Sequence, residues 1–445
     1  MQSGKHIAIV GAGLVGSLLS IYLRRRGYQV SVFERRADMR KGNADAGRSI
    51  NLALSNRGLR ALKEVGVAEA VRQVAIPMHG RVMHDTKGNL SFLAYGKEGQ
   101  FINSISRSGL NIVLMDEAEK HGVQFFFNHR CSHIDFDSTT ITFNHSGEIK
   151  TKDFNLIIGA DGAFSAVRSL MQITDRFNYS QFYIEHGYKE LHIPAGASGE
   201  FLMEKNALHI WPRESFMLIA LPNPDATFTC TLFFPFEGEL SFDSLKTRKD
   251  VTTFLAETFP DAMKLNPKLV DDYYANPVSS LVTIRCFPWQ RNRTLLIGDA
   301  AHGIVPFYGQ GMNAGFEDCR ILNDMLSQFN DNWDQVLSEF PKTRKPDTDA
   351  IAQLAFDNFV EMRDLVADPE FLLRKKIESK INALYPDKWI PLYSMVTFRD
   401  DIGYADAYRT GQRQKQIMDK VMQQPNIASS WEQLNFHEVV NQLTE

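Results

Sequence analysis

The chain has 445 residues, of which 44% are hydrophobic and 23% charged, with a formal net charge of −4. That length requires a substantial core, in about two or three domains or in one domain with a large insertion. The near-neutral balance gives no global attraction to nucleic acid or anionic lipid, which leaves small molecules as the expected partners. In chain order, "HIAIV", "GAGLVG", "SLLSIYLRRRG" and "YQVSVFE" read as strand, turn, helix and strand, a βαβ unit. The first residues run almost at once into that strand, so no leader peptide is expected. "FNLIIGADG" and "RTLLIGDAAHG" add two apolar strands that end in glycine and acid, a pattern suited to burial on both faces.

Residues 176–277 differ: "HGYKELHI", "ALHIWPRESFMLIALPN" and "TFTCTLFFPF" are β-rich, turn-punctuated and dense in aromatics. From about residue 335 the pattern turns helical, with Pro breaks expected in "KTRKPDTDAIAQLAFDNFVEM" and "YPDKWIPLYS". The fold expected is α/β, α+β overall. It comprises a Rossmann-like dinucleotide-binding domain (1–70, 100–175 and 278–335), an inserted, mostly antiparallel β-sheet domain (71–99 and 176–277) and a C-terminal helical region (336–445) that covers the active site. No stretch approaches the ~18 apolar residues of a membrane span and the tail is polar, so no membrane anchor is expected. The four cysteines, Cys131, Cys230, Cys286 and Cys319, lack metal-site spacing and are expected as reduced thiols in a cytoplasmic protein.

Gly11, Gly13 and Gly16 form GxGxxG between strand and helix. The first makes the turn, the second admits a pyrophosphate, and the third lets helix and strand approach. Glu34, at the end of the second strand, is placed to accept from an adenosine ribose. FAD and NAD both fit this motif better than NADP. Since no second GxGxxG follows, a single dinucleotide is expected.

The stretch "GDAAHGIVPFYGQGMNAGFED" bears on which one. Asp299 follows a strand and can accept from a ribityl hydroxyl, while Gly309, Gln310, Gly311, Met312 and Asn313 open a helix whose apolar positions 312, 316, 319, 322 and 326 follow helical spacing. A helix start with bare N–H groups favours the negative charge of a reduced flavin, and Pro306 and Phe307 stiffen and cover the loop in front of it. The stretch also reads as a plain strand–turn–helix corner, and His302 is given no catalytic role.

Together "GAGLVG", "GADGAFSAVR" and "GDAAHGIVPFYGQGMNAG" resemble the single-component flavin aromatic hydroxylases of the para-hydroxybenzoate hydroxylase type. "GRSINLALSNRG", "HGYKEL", "LHIWPR", "MLIALPN", "DNFVEM" and "PLYSMVTF" resemble the branch of that family that hydroxylates L-kynurenine. The resemblance implies FAD as cofactor, NADPH and O2 as co-substrates, and hydroxylation through a flavin C4a-hydroperoxide. It implies FAD contacts at Val15, Glu34, Arg35, Ala53, Arg107, Cys131, Asp299, Met312 and Asn313, and a role for Asp161 and Arg168 in binding FAD and NADPH. It implies substrate contacts at Arg81, Tyr95, Asn358 and Tyr393. Tyr308 departs from the family's loop. The same motifs admit a flavin reductase or oxidase, and the first motif alone admits an NAD(H)-binding sensor.

Overall fold

A computed structural model describes residues 5–42, 51–364 and 368–443, so the domain limits at both termini, and the start of "GRSINLALSNRG" at residues 47–50, lie outside the described residues. A six-stranded sheet runs in the order 290–291, 294–296, 156–159, 6–10, 29–33, 124–126, parallel except at its 290–291 edge. Its central residues Ala8, Ile9, Ile157, Ile158, Leu295 and Leu296 are fully buried, as their unbroken apolar runs require. Helix Leu14–Arg25 lies on one face, wedged against helices Arg107–Lys120 and Gly311–Gln328. A three-stranded antiparallel sheet (129–135, 140–145, 148–153) covers the other, where the Phe33 and Phe143 rings stack at 4.2 Å.

The second large sheet has seven strands, in the order 279–287, 178–193, 228–235, 216–222, 207–213, 80–84, 90–94, and is antiparallel except where 207–213 meets 80–84. Two strand pairings cross the expected domain limits. Ser279–Phe287, expected in the dinucleotide-binding domain, pairs with residues 178–188 of the long strand Asn178–Ile193. Ala75–Met78, expected in the inserted domain, instead joins Asn51–Leu54 and Ile102–Ser106 in a small antiparallel sheet. Both differences have one cause: strand partners are non-local, while a composition boundary is local. The inserted domain also contains the helices Arg248–Thr258, Pro260–Leu265 and Leu269–Ala275, which pack Phe254, Phe259 and Tyr273 against Trp211, Phe216 and Leu218 on one sheet face. The opposite face, with Ile184, Met217 and Phe233, meets the loop around Phe307 and the C-terminal helices.

The C-terminal region is helical, but its first Pro break is absent. One helix, Trp333–Asp364, passes through both Pro341 and Pro346. Each proline removes a backbone bond at a cost of about 3 kcal/mol. Burial of Phe340, Arg344, Ile351 and Leu354 against the core offsets it. Pro386 and Pro391 do fall between helices Pro369–Leu384 and Leu392–Phe398.

Strand 80–84 is anchored from behind by a chain of polar rings: His84 Nδ1 lies 2.7 Å from Asp261 Oδ2, and His84 Nε2 lies 2.9 Å from His209 Nδ1. His209 Nε2 faces the Glu204 carbonyl at 2.8 Å and must donate to it, so its Nδ1 accepts from His84. Burial pushes His209 down from 6.5 to about 4. Between those pH values the unfolded chain takes up a proton here that the folded chain refuses, so stability falls as pH is lowered from 6.5 toward 4, by on the order of 3 kcal/mol. Urea unfolding across that range should show the decline in the parent and a shallower one in His209→Asn.

Candidate active site

The glycine motif has the geometry its spacing implies. Gly11 sits at φ +107°, and a Cβ there would lie 2.5 Å from the Ala160 carbonyl oxygen. At Gly16 a Cβ would lie 2.1 Å from the Gly11 oxygen, so helix and strand touch through bare backbone. Beside Gly13 a Cβ would meet nothing within 4 Å. Gly13 is also the N-cap of helix 14–25 and no side chain caps that end, which leaves first-turn N–H groups facing open space, as a diphosphate requires. Glu34 accepts from the N–H groups of Ala12 and Arg36 at 3.0 Å each; it braces the loop and keeps further lone pairs for another donor. Arg35 and Arg107 are exposed. Cys131 is buried and its thiol is pushed up to about 12 by burial, with Asp161 adding to the shift, so it is inert packing.

The second cradle is the turn after strand 294–296. Gly298 adopts φ +60°, and the half-buried Asp299 carboxylate that follows makes no hydrogen bond to the described residues. Val15 joins the two cradles: its methyls would lie 3.0 Å from a Cβ at Gly298 and 2.6 Å from one at Gly315. Asp161 accepts from Ser165 Oγ at 2.5 Å and from the Ala166 N–H at 2.6 Å, so its side chain caps the short helix Ala166–Met171. Arg168 donates to the carbonyls of Ala300 at 2.9 Å and Ala163 at 2.5 Å, tying that segment to the residue after Asp299.

At the start of helix 311–328, Asn313 is consumed by the protein. Its Oδ1 accepts from the Ser55 N–H at 3.0 Å, and its Nδ2 donates to Ala53 O at 2.8 Å and Gly309 O at 2.9 Å. Gln310, the N-cap, accepts from Tyr404 OH at 3.0 Å and caps nothing, so the first-turn N–H groups near the half-buried Met312 remain free of side-chain partners. Two uncapped helix starts, a glycine gap between them and an unpartnered Asp299 fit an extended dinucleotide with its flavin at helix 311–328.

Beyond this cradle the expected substrate residues converge. The Arg81 guanidinium carbon lies 5.1 Å from the Tyr95 ring and 5.0 Å from the Tyr393 ring. Tyr95 and Tyr393 stack at 5.6 Å, and Tyr308 stacks on Tyr393 at 5.7 Å. Arg81 Nε and the Tyr95 hydroxyl are buried without a hydrogen-bond partner, and among the described residues no carboxylate pairs with Arg81. A half-buried cation with a buried Nε and a buried phenol left open in this way favour an anionic guest. Burial raises the phenols of Tyr95, Tyr308 and Tyr393, which therefore stay protonated near neutrality. Asn358 Nδ2 donates to Phe307 O at 2.7 Å, holding the turn Pro306–Tyr308, and the Phe307 ring packs against Phe359 at 4.5 Å and Phe233 at 5.0 Å.

Sequence reasoning missed the charges beneath this site. Glu317 and Asp318 are buried in helix 311–328 among Arg57, Arg344 and His302. Two adjacent acids set among the apolar positions 316, 319 and 322 were the available signal.

The FAD binding domain family model matches residues 5–354. Among solved structures, 2-methyl-3-hydroxypyridine-5-carboxylic acid oxygenase superposes with a TM-score of 0.68 at 21% identity, covering 82% of this chain and 95% of that one. PqsL from P. aeruginosa, in complex with 2-aminobenzoylacetate, gives 0.66 at 18%, covering 81% and 97%. These establish the fold. Fold, cradle and family model together define an FAD-binding flavoprotein. Kynurenine 3-monooxygenase of Flavobacterium johnsoniae is 50% identical over 100% of this chain and 99% of its own length, and that of Dictyostelium discoideum is 44% identical over 94% and 93%. The chain belongs to the kynurenine 3-monooxygenase family.

The open space at Gly13 gives a direct test. Gly13→Val should cost the apoprotein no more than about 1 kcal/mol, as expected at an N-cap, yet weaken FAD at least about tenfold in a fluorescence titration. Gly16→Ala, with no room for its Cβ, should lose stability and FAD together.

Proposed function

We propose that this protein hydroxylates L-kynurenine at the ring carbon ortho to its amine, giving 3-hydroxy-L-kynurenine with consumption of NADPH and O2. The observation that carries this reading is the Arg81 guanidinium set against the stacked Tyr95 and Tyr393 rings, its Nε buried and unbonded and no carboxylate beside it among the described residues, across the Pro306–Tyr308 turn from the flavin cradle. Held at the Gly11–Gly16 turn, Asp299 and the start of helix 311–328, FAD would supply the redox chemistry that couples NADPH oxidation to insertion of one atom of O2 into the substrate and reduction of the other to water. Arg81, with the Tyr95 hydroxyl, clamps the α-carboxylate through charge-assisted hydrogen bonds. Tyr393 and Tyr308 wall the aryl ketone. Phe307, Phe359 and Phe233 exclude water from the reacting face.

The uncapped N–H groups at the start of helix 311–328 stabilise negative charge on the reduced cofactor. Because the substrate's own amine activates the carbon to be oxygenated, the lining residues need supply no strong base, and the protonated phenols supply none. The four cysteines are free thiols, which supports a cytoplasmic setting, and no helix among the described residues is long and apolar enough to cross a membrane.

Incubation of the FAD-loaded protein with NADPH, 18O2 and L-kynurenine should yield a product carrying one labelled oxygen, at the ring position ortho to the amine. NADPH loss that yields only peroxide would overturn the assignment. Arg81→Ala should raise KM for L-kynurenine by about 2 to 4 kcal/mol in binding terms, with a smaller effect on kcat. An unchanged KM would remove the carboxylate clamp.

A further inference from the structure

Arg57, in the stretch "LALSNRG", lies on helix Asn56–Glu64 and is almost wholly buried, yet it touches neither cradle nor substrate box. Its NH1 donates to Glu317 Oε1 at 2.8 Å, on the helix whose start faces the flavin. Its other nitrogens point the opposite way: Nε donates to Val396 O at 2.9 Å, and NH2 reaches Arg399 O at 3.1 Å and the carbonyl of Ile402. The neighbouring Asn56 Nδ2 adds a bond to Phe398 O at 3.0 Å. These carbonyls close the C-terminal end of helix Leu392–Phe398, the element that carries Tyr393 in its first turn.

A helix this short is marginal alone, and its last carbonyls have no intrahelical partners. Its pose is fixed at its two ends, by Tyr393 stacking at one and by the Arg57 fork at the other, where a cation also complements the helix dipole. The same guanidinium lies 4.1 Å from the Tyr404 ring, whose hydroxyl donates to Gln310 at the flavin-side helix start. Two residues before Arg57, the Ser55 N–H binds Asn313. Residues 53–57 thus hold the flavin side through Ala53 and Ser55, and the substrate side through Asn56 and Arg57.

We propose that Arg57 is a positioning residue that sets the distance between the flavin face and the wall of the substrate box that carries Tyr393. The inference rests on the kynurenine reading for its substrate probe, but not for its structural arm. Geometry gives it a directional signature: loss of Arg57 frees helix 392–398 more than the nucleotide cradle, which the glycine motif and Asp318 hold independently. Substrate binding should therefore suffer before FAD binding does.

Arg57→Met, Arg57→Lys and Asn56→Ala test this, the last two serving also if Arg57→Met does not fold. Hydrogen exchange in the FAD-loaded protein should show faster amides at 395–402 in each variant, with the 11–16 segment unchanged. Equilibrium binding of L-kynurenine should weaken at least tenfold in Arg57→Met and less in Arg57→Lys, whose ammonium cannot match the planar fork. FAD affinity should move less than threefold, and the fraction of NADPH oxidised without hydroxylation should rise. Unchanged exchange at 395–402, or FAD and substrate affinity falling in parallel, would overturn the proposal. If the parent protein binds no L-kynurenine, the substrate reading fails, and the exchange arm still decides the role of Arg57.

Discussion

Two adjacent carboxylates, Glu317 and Asp318, lie buried in the middle of helix 311–328. Unpaired charges in such a place would cost several kcal/mol each, and the nearest partners that offset the cost come from other parts of the chain. Arg57 reaches Glu317 from helix 56–64. Arg344, on the long C-terminal helix, meets Asp318 through Nε at 2.9 Å and lies 3.1 Å from Glu317 Oε2, close enough to attract though not aligned as a hydrogen bond. His302 donates to Asp318 at 2.5 Å, and the Gly298 N–H donates to the same oxygen at 3.1 Å. Burial alone would raise Asp318, but His302 and Arg344 outweigh it and hold the group below the usual carboxylate range. Each acid has more than one such partner, so the cluster holds the helix in one register, and the turn at Gly298 is tied to it through Asp318.

This clamp divides labour within the site. Side chains whose chemistry suggests ligand binding are largely spent on loops: Asn313 on Ala53, Ser55 and Gly309, Asp161 on the helix after it, and Glu34 partly on the glycine turn. What is left without a partner is main-chain N–H at two helix starts, the Asp299 carboxylate, Arg81 Nε and the Tyr95 hydroxyl. Backbone donors fixed by buried charge are preorganised and need no reordering when charge develops on the ring, which is the economical way to stabilise an anion.

Much of this was legible in the sequence because it is local. The βαβ unit, the glycine motif and the second glycine-rich stretch each place strand, turn and helix within a few residues, and the structure reproduces them as His6–Val10, Leu14–Arg25, Gln29–Phe33 and Gly311–Gln328. Features that depend on distant partners were not legible. Nothing local assigns Ser279–Phe287 to the sheet of Asn178–Ile193, nor shows that a helix survives two prolines because Arg344 is buried between them. Arg81 reads alone as an ordinary strand residue, and its meaning lies in the absence of a counter-charge, which only three dimensions reveal. Arg57 was hidden for the converse reason: all its partners, from Glu317 to the 395–402 carbonyls, are far away in sequence.

The central claim is that one buried charge cluster holds a flavin cradle and an arginine–tyrosine box in fixed register, so that a single extended cofactor and a carboxylate-bearing aromatic substrate lie side by side. A crystal structure of the protein with FAD and L-kynurenine bound tests it most directly. The diphosphate should lie against Gly11–Gly16, the ring system along the start of helix 311–328, and the substrate carboxylate on Arg81 and Tyr95, with the Glu317–Asp318 cluster intact. A flavin seated away from that helix, or a substrate whose carboxylate leaves Arg81 unpaired, would contradict it.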